Sequence, residues 1–144
     1  MTLVFISTIM VIVLAVALHY EVLTHLAEKH FKRAWPSRLL LPVGVIIVIM
    51  THVIEVWLFA FLYYFLLPLE NTGEVIGEFS NTVLDCAYFS FVNYTSLGYG
   101  DIVPVGHIRF TAGSEALTGL VLIAWTASFT YLQMQQLVHY KNKK

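Results

Sequence analysis

The chain has 144 residues and a formal net charge of −1, and 58% of its residues are hydrophobic while 12% are charged. This composition predicts an integral membrane protein with little room for a separate soluble domain, and it gives no support for nucleic-acid binding. Three apolar stretches, residues 3–18, 39–69 and 110–132, are each long enough to cross about 30 Å of hydrocarbon at ~1.5 Å per residue.

The first apolar stretch, Leu3 to Leu18, predicts a transmembrane helix. The segment Ala15-Val16-Ala17 also resembles a signal-peptidase site, so a cleaved signal peptide is the alternative. No Lys or Arg precedes the apolar core, and cleavage would leave the N-terminal side of a basic loop on the outer face. We therefore favour a retained helix.

An amphipathic segment follows the first span. Its apolar face contains Leu23, Leu26, Ala27, His30, Phe31 and Ala34, and its charged face contains Glu21, Glu28, Lys29 and Lys32. The segment could lie on the cytoplasmic leaflet and couple lipid or tension to a gate, or it could simply anchor a linker that ends at Trp35-Pro36. We favour the anchoring linker, which makes residues 1–38 one N-terminal unit.

The second span, predicted as an outer helix over residues 39–67, contains the polar pair His52 and Glu55. A spacing of three residues places both side chains on one face of a helix. The pair is either a proton-sensitive contact between the spans or a polar clamp that holds the N-terminal helix, and we favour the clamp.

The distribution of charge predicts the orientation of the chain. Basic residues lie between the first two spans and after the third, namely Lys29, Lys32, Arg33, Arg38, Lys141, Lys143 and Lys144. Both regions should be cytoplasmic, which places the N-terminus outside and the basic tail, residues 139–144, inside the cell. The connection over residues 68–80 carries Glu70, Glu74 and Glu78 without Lys or Arg, which suits an outer face that attracts cations.

A short helix over residues 82–94 is predicted before the next loop. Thr82, followed three residues later by Asp85, is typical of a helix start. The carboxyl end of this helix would direct a partial negative charge toward the membrane centre, where it stabilises a cation. Tyr88 and Phe89 contribute to an aromatic surface that could brace the loop from behind. Cys86 is the single cysteine and is predicted to pack as a small apolar residue.

The loop at residues 95–101 reads Thr95-Ser96-Leu97-Gly98-Tyr99-Gly100-Asp101. The two glycines allow alternate residues to adopt positive φ, which points successive carbonyls in one direction. The loop resembles the selectivity filter of the potassium-channel pore family, and the resemblance covers about residues 40–136. It implies that residues 95–100 bind ions, and that dehydrated K⁺ is held by the carbonyls of Ser96, Leu97, Gly98 and Tyr99, with the Ser96 hydroxyl below them.

Two residues of the loop depart from the usual family sequence. Ser96 and Leu97 stand where the family commonly has threonine and valine, but serine keeps the hydroxyl and leucine contributes the same carbonyl. Serine lacks the methyl group that stiffens χ1, so we expect a looser innermost site. Because Val92 stands where the family often has glutamate, the usual carboxylate partner of Asp101 is absent. Asp101, Tyr88 and Phe89 are therefore the predicted supports of the loop.

The last span is predicted as an inner helix over residues 109–136 that lines the path below the filter. Gly119 lies in the region of the family's hinge glycine, and bending and close helix packing are equal alternatives for it. Glu115, one turn earlier, should face protein, water or the rear of the filter, where it could bond Ser90 or Asn93. We favour a structural anchor over a titrating gate for this acid.

The predicted architecture has no dedicated gating module. The span before the pore unit carries no Lys or Arg, which excludes an arginine-rich voltage sensor. About a dozen residues follow the last apolar stretch, which ends at Leu132, and they are too few for a ligand-binding domain. The gating candidates are therefore Gly119, Glu115, His52, Glu55 and His107. For His107, just after the loop, we favour a surface residue over a sensor of external pH.

The predicted fold class is an all-α integral membrane protein with three transmembrane helices, a re-entrant pore helix and a filter loop. The pore domain comprises residues 39–138. A closed ring of carbonyls needs several copies around an axis, and because the family resemblance implies four, a homotetramer is expected. The predicted function is passive K⁺-selective conduction in the cell membrane, with K⁺ as permeant ion and no cofactor. Membrane lipids and an unidentified regulatory protein are further candidate partners.

Two alternatives to selective conduction stay open. Ser96 and Leu97 could relax the selectivity and produce a general cation channel, or the chain could be a membrane adaptor that keeps the pore fold but signals through partners without flux. Enzymatic activity has no support, because neither a metal-ligand cluster nor a nucleophile with a base appears at meaningful spacing.

Overall fold

The computed structural model describes residues 1–31 and 40–142 of the chain. In chain order, this part of the molecule forms α1 (Thr2–Phe31), α2 (Leu40–Leu66), β1 (Glu74–Gly77), α3 (Val83–Tyr94), β2 (Ile102–Val105) and α4 (Ile108–Asn142). Three of these helices contain segments long and apolar enough to cross a membrane, namely Thr2–Glu28, Leu41–Leu66 and Ile108–Gln136. The predicted fold of three transmembrane helices and a short intervening helix is confirmed.

α1 is longer than the predicted first span. It continues without a break to Phe31, so the first part of the predicted amphipathic linker extends the spanning helix itself. The rest of that predicted linker, with Ala34, Trp35 and Pro36, falls on residues 32–39, outside the described residues.

The core lies where the short helix α3 packs between α2 and α4. Its largest fully buried apolar side chains are Phe59, Tyr63, Phe89, Tyr94, Ile108 and Leu122. α1 covers α2 and α4 from another side, with Val4 and Ala15 completely buried. Because the outward faces of the long helices are also apolar, as at Ile46, Phe65 and Leu120, they suit contact with lipid or with other subunits.

α3 begins with the predicted capping box. The backbone amide of Asp85 donates to Thr82 Oγ1 at 3.1 Å, and the backbone amide of Thr82 donates to Asp85 Oδ2 at 3.2 Å. The hydrogen bonds from the Thr82 side chain and backbone lower the pKa of the Asp85 carboxyl. Since two otherwise unpaired donors are satisfied, the start of α3 is fixed by these two residues.

Two short strands were not predicted. β1 and β2 pair antiparallel, with Glu74 opposite Val105 and Gly77 opposite Ile102. A Cβ at Gly77, whose φ is 127°, would lie 2.2 Å from the carbonyl oxygen of Asp101, so only glycine allows this approach. The ribbon ties the connection after α2 to the segment that follows loop 95–101.

Candidate functional site

The loop that follows α3 has an alternating backbone. Ser96, Gly98 and Gly100 have φ values of 55°, 55° and 81°, in the left-handed region, whereas the residues between them do not. Such alternation can turn successive carbonyl groups toward the same side, whereas along an extended strand they point to opposite sides in turn. The predicted positive φ at the two glycines is confirmed, and Ser96 adds a third position that was not predicted.

Ser96 has positive φ because it also terminates α3. The amide of Leu97 donates to the carbonyl of Val92 at 3.0 Å, and the amide of Ser96 donates to that of Asn93 at 2.8 Å. This pair of bonds is the Schellman motif, in which the residue just past the helix adopts the left-handed conformation. Glycine usually occupies that place, so the sequence did not indicate it at a serine.

The end of the loop at Asp101 is held by Tyr88. Its hydroxyl donates to Asp101 Oδ2 at 2.6 Å, and this hydrogen bond to Asp101 raises the pKa of the Tyr88 phenol. A phenol therefore binds the acid for which the family usually supplies a carboxyl group. Phe89 is buried and packs edge-on against Tyr63, with ring centroids 4.8 Å apart. The Tyr88 contact fits the predicted support of the loop, whereas Phe89 packs against Tyr63 and Phe79, and its supporting role stays a prediction.

Behind α3 lies the buried acid Glu115. It contacts the Ser90 hydroxyl through Oε1, and the Tyr63 hydroxyl donates to its Oε2 at 2.5 Å. The predicted contact with Ser90 is confirmed, but Asn93 Nδ2 has no hydrogen-bond partner among the described residues. Ser90 Oγ also lies 2.8 Å from the carbonyl oxygen of Val56, which can only accept. Since a hydroxyl has one hydrogen, every contact is satisfied when Ser90 donates to Val56 and a protonated Glu115 donates to Ser90.

Gly119 lies directly against the end of α3. A Cβ on this glycine would be 2.1 Å from the carbonyl oxygen of Tyr94. The geometry therefore favours close helix packing, the second of the two roles considered for Gly119.

A second polar cluster lies between the long helices. His52 Nδ1 is 3.0 Å from Glu55 Oε2, which confirms the predicted contact, and the Tyr94 hydroxyl donates to the same oxygen. His19 of α1 completes the cluster with its Nδ1 2.9 Å from Glu55 Oε1. The arrangement is a clamp that joins the N-terminal helix to α2 and to the last residue of α3.

His19 is the residue that the sequence analysis missed. Burying a histidine in a membrane span costs free energy unless the side chain has a polar partner. Glu55 in the next span could have been recognised as such a partner for His19. The prediction that the chain has no metal-ligand cluster is wrong. His19, His52 and Glu55 each offer a ligand atom, and these atoms lie within 4.8 Å of one another. His107 is exposed beyond β2, as predicted for a surface residue.

The loop itself is open in a single chain. All residues from Thr95 to Asp101 are exposed, and Leu97 and Tyr99 expose 55% and 67% of their surface. An exposed surface with apolar and aromatic side chains is typical of a contact with protein or with membrane.

Comparison with known proteins identifies the class. The sequence model of the ion channel family matches residues 42–136, which include α3, the loop and most of both flanking helices, and the chain belongs to this family. It is also similar to Potassium channel K2 of Plasmodium falciparum (isolate 3D7), with 28% identity over 71 residues. These residues are 49% of this chain but 4% of that relative, so the chain spans a small part of its length.

Proposed function

We propose that this membrane protein of the ion channel family is a potassium-selective channel that conducts K⁺ passively through loop 95–101. The observation that carries the proposal is the alternating left-handed backbone at Ser96, Gly98 and Gly100. Carbonyl oxygens turned toward one axis replace the water of a dehydrated cation, and rings of them select K⁺. The proposed ligands are the carbonyls of residues 96–99 and the Ser96 hydroxyl. Similarity to a protein named as a potassium channel supports the choice of ion.

The channel is proposed to be a homotetramer in the cell membrane. One loop supplies only one side of an ion cage, and four copies around an axis close it. The exposure of Leu97 and Tyr99 in the single chain supports this assembly, because neighbouring subunits would cover them. Basic residues between the first two spans and in the tail favour an N-terminus outside and a C-terminus in the cytoplasm.

Conduction is tested with purified protein in liposomes that contain a K⁺ gradient, and again with Na⁺. Flux with K⁺ alone is expected, and equal flux with Na⁺ would contradict selectivity and support a general cation channel. Absence of flux with either ion would contradict conduction and support a membrane adaptor.

Gly98 is the residue that tests the location of the pathway. Gly98→Ala adds a Cβ at a φ of 55°, which is unfavourable by about 1–2 kcal/mol and should turn the peptide away from the axis, so K⁺ flux should fall at least tenfold. The matched control is Gly44→Ala in α2, where an added Cβ meets nothing within 4 Å among the described atoms. Normal flux through Gly98→Ala would exclude this loop as the ion path.

A further inference from the structure

The cluster of His19, His52 and Glu55 brings three potential metal ligands together. The Nδ1 atoms of His19 and His52 lie 2.9 Å and 3.0 Å from the two oxygens of the Glu55 carboxyl group. His19 and Glu55 are fully buried, and the His52 side chain is 18% exposed. Two imidazole nitrogens and one carboxylate therefore converge from α1 and α2 within reach of a single ion.

The Nε2 atoms of both rings indicate that this cluster has fewer hydrogens than its hydrogen bonds need. Thr126 Oγ1 lies 3.1 Å from His52 Nε2 and 3.3 Å from His19 Nε2. If each Nδ1 carries the hydrogen that it donates to Glu55, both Nε2 atoms are acceptors, and the single hydroxyl hydrogen of Thr126 serves only one of them. With these tautomers, one contact is left unmade in a largely buried site, which is costly. In the other neutral tautomer of His52, Nε2 donates to Thr126 and Nδ1 accepts from the Tyr94 hydroxyl at 2.9 Å, but the hydrogen bonds to Glu55 Oε2 are then lost.

A metal ion bound by the two Nδ1 atoms would remove this shortage. Each neutral ring would then carry its hydrogen on Nε2, and Thr126 Oγ1 can accept from both rings because it has two lone pairs. Metal-binding histidines usually donate their second nitrogen to such an acceptor. The Tyr94 hydroxyl donates to Glu55 Oε2 and would orient the carboxylate in the same way.

We propose that His19, His52 and Glu55 bind a divalent transition metal of the zinc class and thereby link α1 to α2. Imidazole with carboxylate is a donor set that suits Zn²⁺, whereas Mg²⁺ and Ca²⁺ prefer oxygen ligands. A tetrahedral Zn²⁺ with bonds of about 2.0–2.2 Å holds its ligands roughly 3.3 Å apart. The two histidine–carboxylate distances of 2.9 Å and 3.0 Å are close to this value, and the ligand atoms of the three residues all lie within 4.8 Å of one another. The proposal does not rest on conduction, because metal binding is measured without ion flux.

Binding is measured directly on purified protein. Chelator-treated protein is incubated with ZnCl₂, desalted and analysed for metal per chain, and Co²⁺ replaces Zn²⁺ to give a visible spectrum. We expect one metal per chain and the intense absorption of tetrahedral Co²⁺. His19→Gln and His52→Gln should lower the affinity more than tenfold. His25→Gln, on the same helix as His19 but with its side chain 71% exposed, is the control that should bind normally.

Thr126 supplies a second test that keeps all three ligands. Thr126→Ala should weaken Zn²⁺ binding about 10–100-fold by removing the acceptor behind both rings, and Thr126→Ser should restore it. If His19→Gln does not fold, this pair decides the question. The proposal is overturned if the folded protein retains no zinc. In that case protonation of one histidine ring would supply the missing hydrogen. Zinc binding unchanged in Thr126→Ala and His19→Gln also overturns it, since the metal then lies elsewhere.

Discussion

Ser96 is in a left-handed conformation that costs a residue with a side chain about 1–2 kcal/mol. Glycine would relieve this cost, but it would also remove the hydroxyl that we propose as the innermost ligand. The position is therefore a compromise between backbone strain and ion coordination. The positive φ of Ser96 could not be predicted from sequence. Only the two glycines indicate the alternating backbone, and glycine, not serine, is the usual residue in the left-handed position after a helix.

The protonation state of Glu115 can be tested by substitution. If the buried acid is protonated, glutamine can replace it, since the amide N–H donates to Ser90 and the amide oxygen accepts from Tyr63. Glu115→Gln should change the free energy of unfolding by less than about 1 kcal/mol, whereas Glu115→Ala should cost about 1–3 kcal/mol because the Tyr63 hydroxyl is left without an acceptor. Thermal unfolding in detergent measures both. Equal destabilisation by the two variants would show that the acid is charged.

Gly119 gives a prediction about packing. Gly119→Ala places a Cβ 2.1 Å from the carbonyl oxygen of Tyr94, and backbone cannot move aside as a side chain can. The variant should lose about 1–3 kcal/mol of stability or more and should also reduce flux, because Tyr94 directly precedes the loop. The control is Gly113→Ala on the same helix, where an added Cβ meets no described atom within 4 Å. Identical melting temperatures for the two variants would argue against this close contact.

At the scale of an element, α3 gives a prediction about pH. Because the pKa of Asp85 is lowered in the folded state, its contribution to stability is present above the unfolded pKa of about 3.9 and is lost as the pH falls through the lower folded value. Asp85→Ala should therefore melt at a lower temperature than the parent chain at pH 7, and the difference should shrink below about pH 4.

The partner of Asp85 supplies the control. Thr82→Ala removes the other half of the capping box and should cost about 1 kcal/mol at neutral pH. Because the two residues act together, the double variant should be less destabilised than the sum of the single variants. Strict additivity, or a difference for Asp85→Ala that persists at acidic pH, would contradict the capping role.

The elements differ in how far the sequence predicts them. Long apolar runs and the Thr82 and Asp85 pair predict the spanning helices and the start of α3, because these signals are local. β1 and β2 have four residues each, and Pro104 interrupts the second, so neither shows the alternation by which strands are recognised. Their pairing depends on contacts between distant segments.

At the scale of the whole molecule, the contacts between helices were only partly predictable. The spacing of His52 and Glu55 indicated one shared face, but the partner from α1 depends on how two separate helices cross. The predicted tetramer rests on chemistry of the loop and on family resemblance, and it stays a prediction. Leu97 and Tyr99 are exposed in the single chain, and a cross-linking experiment on the assembled protein would test whether other subunits cover them.

Tyr94 lies at the junction of these features. Its phenol reaches the clamp at Glu55, its carbonyl touches α4 at Gly119, and the next residue already belongs to loop 95–101. A displacement of α1 that moves Glu55 would therefore also act on Tyr94, which is bonded directly to the first residue of this loop. If the loop conducts K⁺ as proposed, the N-terminal helix would influence permeation as well as anchor the chain.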